Sequence, residues 1–280
     1  MTVILSWNIQ YGKGCDGVVD LGRIRRDILA AGLPDVICLQ EVADGFAELD
    51  GAGADQAAQI AGMFAEYQAV FAPGVDRYDG RRRRFGNMIL SRLPLLDSES
   101  HLLPRPADGA TRHMRRVVLA VTAATAAGPL RIATTHLEYF AAGQRHAQVG
   151  RIRDLSAEWL ANAQMPPQPA RHTYAPLPPA MDLVWCGDFN LEPNDPDYAA
   201  LQADLSDGTG RLQDAWHLLH GTLPHAPTCG IHDAAQWPQG PHARDFFFVT
   251  PGLRTRLKSV ETDTQTAASD HQPIRLLLTD

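Results

Sequence analysis

Two apolar runs, Thr2 to Ser6 and Asp35 to Gln40, bracket a stretch in which Leu21, Ile24, Ile28 and Leu29 recur on one helical face. Asp20 supplies a cap at its start, and Gly32 with Pro34 ends it. Strand, helix and strand in that order form a crossover unit whose two strands run parallel. The polar residues that end the two runs, Asn8 and Glu41, therefore emerge at the same edge of one sheet. Ligand sites in open α/β sheets lie outside the carboxyl ends of the strands, so two polar residues arriving there together carry weight.

The same wording returns later in the chain. Val184, Trp185 and Cys186 read as a strand buried on both faces that breaks at Gly187, with Asp188 and Asn190 following. Two residues apart, a carboxylate and a carboxamide can share one pocket, an oxygen-rich setting for a hard divalent cation or a phosphate-bound water. An Asx-rich turn that merely ends a strand has the same composition, so the stretch gains meaning from its neighbours.

A second helix is expected over about Ala54 to Tyr67. The strand Gln68 to Phe71 then runs toward the Glu41 edge, and Phe85 to Ser91 runs back from it. Their connection, Ala72 to Arg84, is expected as a loop over the site, with Arg77, Arg81 and Arg84 as candidate contacts for an anionic substrate. A solvated arginine-rich loop is the competing reading. Arg115 to Ala124 and Leu130 to Thr135 are strands, the second leading into His136, and Gly143 to Asn162 is helical. A proline-rich surface loop at about 164–180 interrupts what is otherwise read as a single domain, 1–280. Asp195 and Pro196 open a helix through about Leu205, and a short helical or irregular segment follows over Leu212 to Gly221. Arg244 to Val249 is a charged pair opening a β-prone run, and Ser269, Asp270 and His271 precede a last strand, Gln272 to Leu278. This alternation predicts an α/β fold: a four-layered α/β sandwich of two packed mixed β-sheets with helices on the outside.

Composition excludes several classes. The net charge of -7 argues against a protein that grips nucleic acid with a broad basic face. No apolar run reaches the length of a membrane span and the N-terminus has no basic leader, so a cytoplasmic location is expected. The four cysteines have neither a pairing interval nor zinc spacing, and Cys38 and Cys186 are core residues. No protein partner is indicated.

The order and wording of the strand-end residues resemble the endonuclease/exonuclease/phosphatase superfamily, the fold shared by DNase I, exonuclease III and neutral sphingomyelinases. The phrases that carry the resemblance are Ser6-Trp7-Asn8, Leu39-Gln40-Glu41, Gly86 to Arg92, Thr135-His136-Leu137, Gly187 to Asn190, Arg244 to Val249 and Ser269 to His271. The resemblance implies a Mg²⁺ or Mn²⁺ ion held by Asn8, Glu41 and Asp270. It implies catalytic roles for His136, Asp188, Asn190, Asp245 and His271, with Asp188 positioning or deprotonating water and Asp245 holding His271. Which of Asp188 and His271 takes the proton stays open. Trp7-Asn8-Ile9-Gln10 departs from the wording of the DNA-repair branch and argues against an abasic-site endonuclease. The implied activity is hydrolysis of a phosphodiester substrate, with a nuclease acting on nucleic acid as the narrower alternative. A catalytically silent metal- or phosphate-binding protein is the alternative from another class.

Overall fold

The computed structural model describes residues 1–30, 32–49, 55–205 and 208–280. Its crossover unit is β1 (Thr2–Asn8), α1 (Leu21–Ala30) and β2 (Val36–Asp44), and β1 and β2 pair in parallel with Ile4 opposite Val36 and Asn8 opposite Gln40. Asp20 caps α1 by accepting the Arg23 backbone N–H at 3.1 Å. α2 (Gln56–Met63) is shorter than expected, capped by Asp55; the expected start at Ala54 lies outside the described residues. Next come β3 (Gln68–Asp79), β4 (Arg81–Ser91), β5 (Leu95–Leu102), β6 (Val117–Thr125), β7 (Gly128–His136), α3 (Ala142–Gln164) and β8 (Asp182–Asp188). The chain closes with α4 (Pro196–Leu201), β9 (Gln213–Asp214), α5 (Ala215–His220), β10 (Asp245–Val249), β11 (Leu257–Thr262) and β12 (Ile274–Leu278).

These strands form two six-stranded sheets, ordered β11-β12-β1-β2-β4-β3 and β5-β6-β7-β8-β10-β9. Strand side chains alternate between faces, and both faces here are covered, which is why the strands read as unbroken apolar runs. Ile4, Val36, Cys38 and Ile89 point at the other sheet and meet Leu119, Ile132, Val184 and Phe247 in a layer between the sheets. Leu5, Trp7, Ile37 and Leu39 face outward under α1 and α2, with Ile24, Ile28 and Ile60. On the opposite outer face Trp185, Phe246 and Phe248 lie under α3 and α4, with Val149, Ile152, Leu155 and Leu201. Three apolar layers among four layers of structure make the expected sandwich.

Several expectations change. Ala72 to Arg84 is not a loop: β3 and β4 extend through it as one long hairpin that turns at Gly80, Asp79 pairing with Arg81. β2 does not stop at Glu41 but bulges there, with the register slipping between Leu39 and Val42 and Glu41 at φ 62°, then continues to Asp44. β5 and β11 lie at the ends of the sheets and were not anticipated. The proline-rich segment after α3 is exposed and carries one 3₁₀ turn, His172–Tyr174.

Gly187 is required by position. It lies at φ 131° opposite Thr135 in the parallel β7–β8 pair, and a Cβ there would fall 2.0 Å from the Thr135 carbonyl oxygen. Backbone cannot yield as a flexible side chain can. Gly187→Ala is therefore expected to destabilise the fold by about 3 kcal/mol or more. A urea titration checks this: the midpoint drops at unchanged slope, and an unmoved midpoint contradicts it.

Candidate active site

Six strand ends converge at one edge of the sandwich. In the first sheet β1 ends at Asn8, Glu41 stands in the β2 bulge, and Asp270 and His271 arrive just before β12. In the second sheet His136 ends β7, Asp188 ends β8 and Asp245 starts β10, so that His136, Asp188 and Asp245 lie in one row of the ladder. The sheets are tied beneath this row by Gln40, which is fully buried and donates to Ser6 Oγ at 3.2 Å and to Thr134 Oγ1 at 2.8 Å across the interface.

The polar contacts are continuous. Asn8 Nδ2 donates to Glu41 Oε1 and to Asp188 Oδ2, both at 3.0 Å. Its Oδ1 accepts the Gln10 backbone N–H at 3.1 Å, so turning Asn8 from a donor among carboxylates into a metal ligand requires rotation of its amide. Asn190, at φ 51°, gives its backbone N–H to Asp188 Oδ1 and its Nδ2 to the Leu137 carbonyl, both at 2.9 Å. Asp188 is thereby held at both oxygens. His271 Nδ1 donates to Asp245 Oδ2 at 2.8 Å, which leaves its Nε2 3.6 Å from Asp188 Oδ2. His136 Nε2 is 3.4 Å from the same Asp188 oxygen, with its Nδ1 3.8 Å from Glu41 Oε1. Asp270 accepts from Ser269 Oγ at 3.3 Å and from Gln236 Nε2 at 2.6 Å.

Burial and crowding set the protonation states. Burial, with Asp270 nearby, pushes Glu41 up to about 7, against the pull of Asn8. Burial likewise raises Asp270. Burial alone would raise Asp188 too, but His271 and His136 and the hydrogen bonds from Asn190 and Asn8 hold it below the usual range. His271 shows the converse: burial opposes its charge, yet Asp245, Asp188 and Asp270 together hold its imidazolium well above the ordinary value. Burial and Arg116 push His136 down to about 3, which makes it a neutral imidazole near pH 7.

Glu41, His136, Asp188, Asn190, Asp270 and His271 all line one cavity of about 490 Å³. Asn8 lies beneath it and Asp245 behind His271, both buried. Asp188, Asp245 and His271 also bring their donor atoms within 4.8 Å of one another, but there the carboxylates hold His271 as an imidazolium, which balances their charge and is not a ligating form. Glu41 and Asp270 are instead carboxyl groups raised by burial with few positive partners, and a hard cation among oxygen donors fits that environment.

Arg77, Arg81 and Arg84 are not brought to the cavity. Arg84 is paired with Asp44 at 2.6 Å and Asp55 at 3.2 Å, Arg77 lies over the Phe46 ring, and Arg81 is exposed at the hairpin tip. The arginines that do line it are Arg112 and Arg116. Buried Arg116 donates from Nε to Glu138 Oε2 at 3.2 Å, and Glu138 also accepts the Met114 and Phe140 backbone N–H groups. Tyr139, Phe140 and Trp237 form an aromatic wall, with Arg244 over both Tyr139 and Trp237. Arg112, Arg116, Tyr139, Phe140 and Trp237 are not among the sequence candidates; Arg115-Arg116 opening an apolar strand is the available signal for Arg116.

The model of the Endonuclease/Exonuclease/phosphatase family matches residues 5–271. A search of curated proteins finds no match. Among solved structures, an endonuclease/exonuclease/phosphatase from Beutenbergia cavernae superposes with a TM-score of 0.69 at 22% identity, covering 99% of this chain and 71% of that one. The mannosyl-6-phosphatase of Bacteroides thetaiotaomicron gives 0.66 at 14% identity over 100% of both chains. The human Nocturnin catalytic domain, solved with bound sulfate, gives 0.63 at 20% identity, covering 99% of this chain and 93% of that one. At these identities the structural likeness is one of fold. With the family model spanning nearly the whole sequence, the chain belongs to the endonuclease/exonuclease/phosphatase family.

Proposed function

We propose that this chain is a divalent-metal-dependent phosphoesterase that hydrolyses a phosphodiester by in-line attack of water. The observation that carries the reading is the geometry at the cavity: Asp188 held at both oxygens by Asn8 and Asn190, and His271 held by Asp245 with its Nε2 3.6 Å from Asp188. That arrangement assigns roles. Asp188 orients the attacking water and accepts its proton, while His271, held by Asp245, donates a hydrogen bond to a phosphoryl oxygen. Asn190 and neutral His136 contact the phosphoryl group as hydrogen-bond partners. Glu41 and Asp270, with Asn8 after an amide rotation, hold Mg²⁺ or Mn²⁺, which supplies Lewis-acid neutralisation of phosphoryl charge when bound. Arg112 and Arg116 are the cationic wall for the substrate.

A diester fits better than a monoester because four carboxylates face or back the cavity, and a dianionic substrate meets more repulsion there than a monoanionic one. The aromatic wall offers a surface for the second ester substituent. The mannosyl-6-phosphatase on the same fold makes the monoester the instructive comparison. Nucleic acid as the diester is the second reading, with Arg112 and Arg116 at the cavity, rather than the carboxylate-paired hairpin arginines, as its backbone contacts. Among the described residues no helix is long and apolar enough to cross a membrane.

The test is hydrolysis of bis-p-nitrophenyl phosphate, p-nitrophenyl phosphate, supercoiled plasmid, single-stranded DNA, RNA and sphingomyelin with Mg²⁺ or Mn²⁺. Diester turnover that exceeds monoester turnover by about tenfold or more in kcat/KM and stops on chelation is the expected result. A preference for the monoester sinks the diester assignment. Activity on DNA or RNA that falls steeply with added salt selects the nuclease. Tight metal binding with no turnover of any of these substrates indicates a silent binding protein.

A further inference from the structure

At the β9 edge of the second sheet, Asp214, His217 and His225 bring a carboxylate and two imidazoles together, their donor atoms within 4.8 Å of one another. Asp214 ends β9 and caps α5; His217 follows within α5, and His225 lies in the loop beyond. The carboxylate is fixed at one oxygen, Oδ1 accepting the Trp216 and His217 backbone N–H groups at 2.7 and 3.3 Å. Its other oxygen, Oδ2, lies 2.5 Å from the donating Tyr198 hydroxyl and 2.8 Å from His225 Nε2. The Tyr198 hydroxyl is in turn 3.2 Å from His217 Nδ1. Asp214 and His225 are almost fully buried, whereas His217 is half-buried and leaves a path from solvent.

We propose that Asp214, His217 and His225 form a second metal site, selective for a zinc-class ion and independent of the hard-cation site at Glu41. Two imidazole nitrogens and one carboxylate oxygen are the donors such ions prefer, and imidazole is a poor ligand for Mg²⁺. Tyr198 acts as the group that orients the ligating carboxylate. A bound ion would pin α4, β9, α5 and the segment after His225 to one point. That segment reaches the other site, since Thr228 Oγ1 accepts the Asp245 backbone N–H at 3.1 Å and Thr228 O accepts the Gln272 N–H at 2.7 Å.

The test uses the full chain carrying Glu41→Gln and Asp188→Asn, so that the first site no longer competes for the ion. After chelation and dialysis the protein is titrated with Zn²⁺ against a chromophoric chelator, and with Co²⁺ by visible absorption. Uptake of about one equivalent of zinc, the intense Co²⁺ bands of a four-coordinate site and a raised melting temperature are expected. Adding His217→Gln and His225→Gln removes all three, and Tyr198→Phe weakens zinc about 10- to 100-fold. No zinc uptake by the Glu41→Gln, Asp188→Asn chain overturns the proposal, as does uptake unchanged by the histidine substitutions. If the histidine variants misfold, the Co²⁺ spectrum of the parent chain decides: four-coordinate bands support the site and weak six-coordinate bands overturn it.

Discussion

Asp188→Asn is expected to lower kcat by about 10²–10⁴-fold while the protein stays folded. The size follows from the arrangement of the carboxylate. Asp188 takes hydrogen bonds from Asn8 and Asn190 and faces both His136 and His271, so its charge is fixed in position as well as in protonation state. Asparagine keeps the volume and the contact with Asn190 but cannot accept a proton from water. In energy the loss is about 3–5 kcal/mol of transition-state stabilisation, felt in kcat more than in KM. Steady-state kinetics on the diester substrate, with a thermal melt to establish folding, make the measurement. A variant with more than about half the parent kcat removes Asp188 from the proton-transfer step.

Glu41→Gln carries the second large effect, on metal rather than on proton transfer. In the metal-free protein Glu41 binds its proton more tightly folded than unfolded, the carboxyl being raised to about 7. Its contribution therefore destabilises the metal-free fold progressively as pH rises from the ordinary carboxylate range, and the loss is complete above about 7. At about 1.4 kcal/mol per pH unit this reaches about 3 kcal/mol. That figure is an upper bound because the side chain is still 20% exposed. A cation at Glu41 removes the penalty, so in the parent protein the Mn²⁺-dependent rise in melting temperature should widen from about pH 5.5 to about pH 8. In Glu41→Gln the rise should be small and nearly flat with pH, with metal affinity reduced by about 100-fold or more. Equal rises in the two proteins would falsify Glu41 as a ligand.

The sandwich and the convergence of strand ends were legible because both depend on strong signals. Central strands buried on two faces give unbroken apolar runs, and a crossover unit dictates strand direction, which puts Asn8 and Glu41 together before any coordinates are known. Edge strands give weaker signals. β5, Leu-Leu-Asp-Ser-Glu-Ser-His-Leu, is mostly polar, with Asp97 and Glu99 reaching sideways to Arg131, and β11 has only Leu257 and Val260 as apolar residues, three apart rather than alternating. The β3–β4 hairpin reads as a loop for a related reason: its charged residues pair across the hairpin, Asp76 with Arg82 and Asp79 with Arg83, and Arg84 pairs with Asp44 and Asp55 outside it, so the stretch has no apolar periodicity. The Glu41 bulge escaped notice because a non-glycine residue at positive φ has no compositional mark. Trp237 and Gln236 were missed because their loop is irregular and reaches the cavity only through the fold.

The buried Gln40 bridge to Thr134 has a further consequence. Asn8, Glu41, Asp270 and His271 come from one leaf of the sandwich and His136, Asp188 and Asp245 from the other, so the chemistry belongs to the seam between them. Neither leaf alone holds a complete set of groups, and a fragment containing only one of them should be inert whatever its own stability. Slippage of one leaf past the other disrupts every cross-seam contact at once, and Gln40 is the polar latch that resists it.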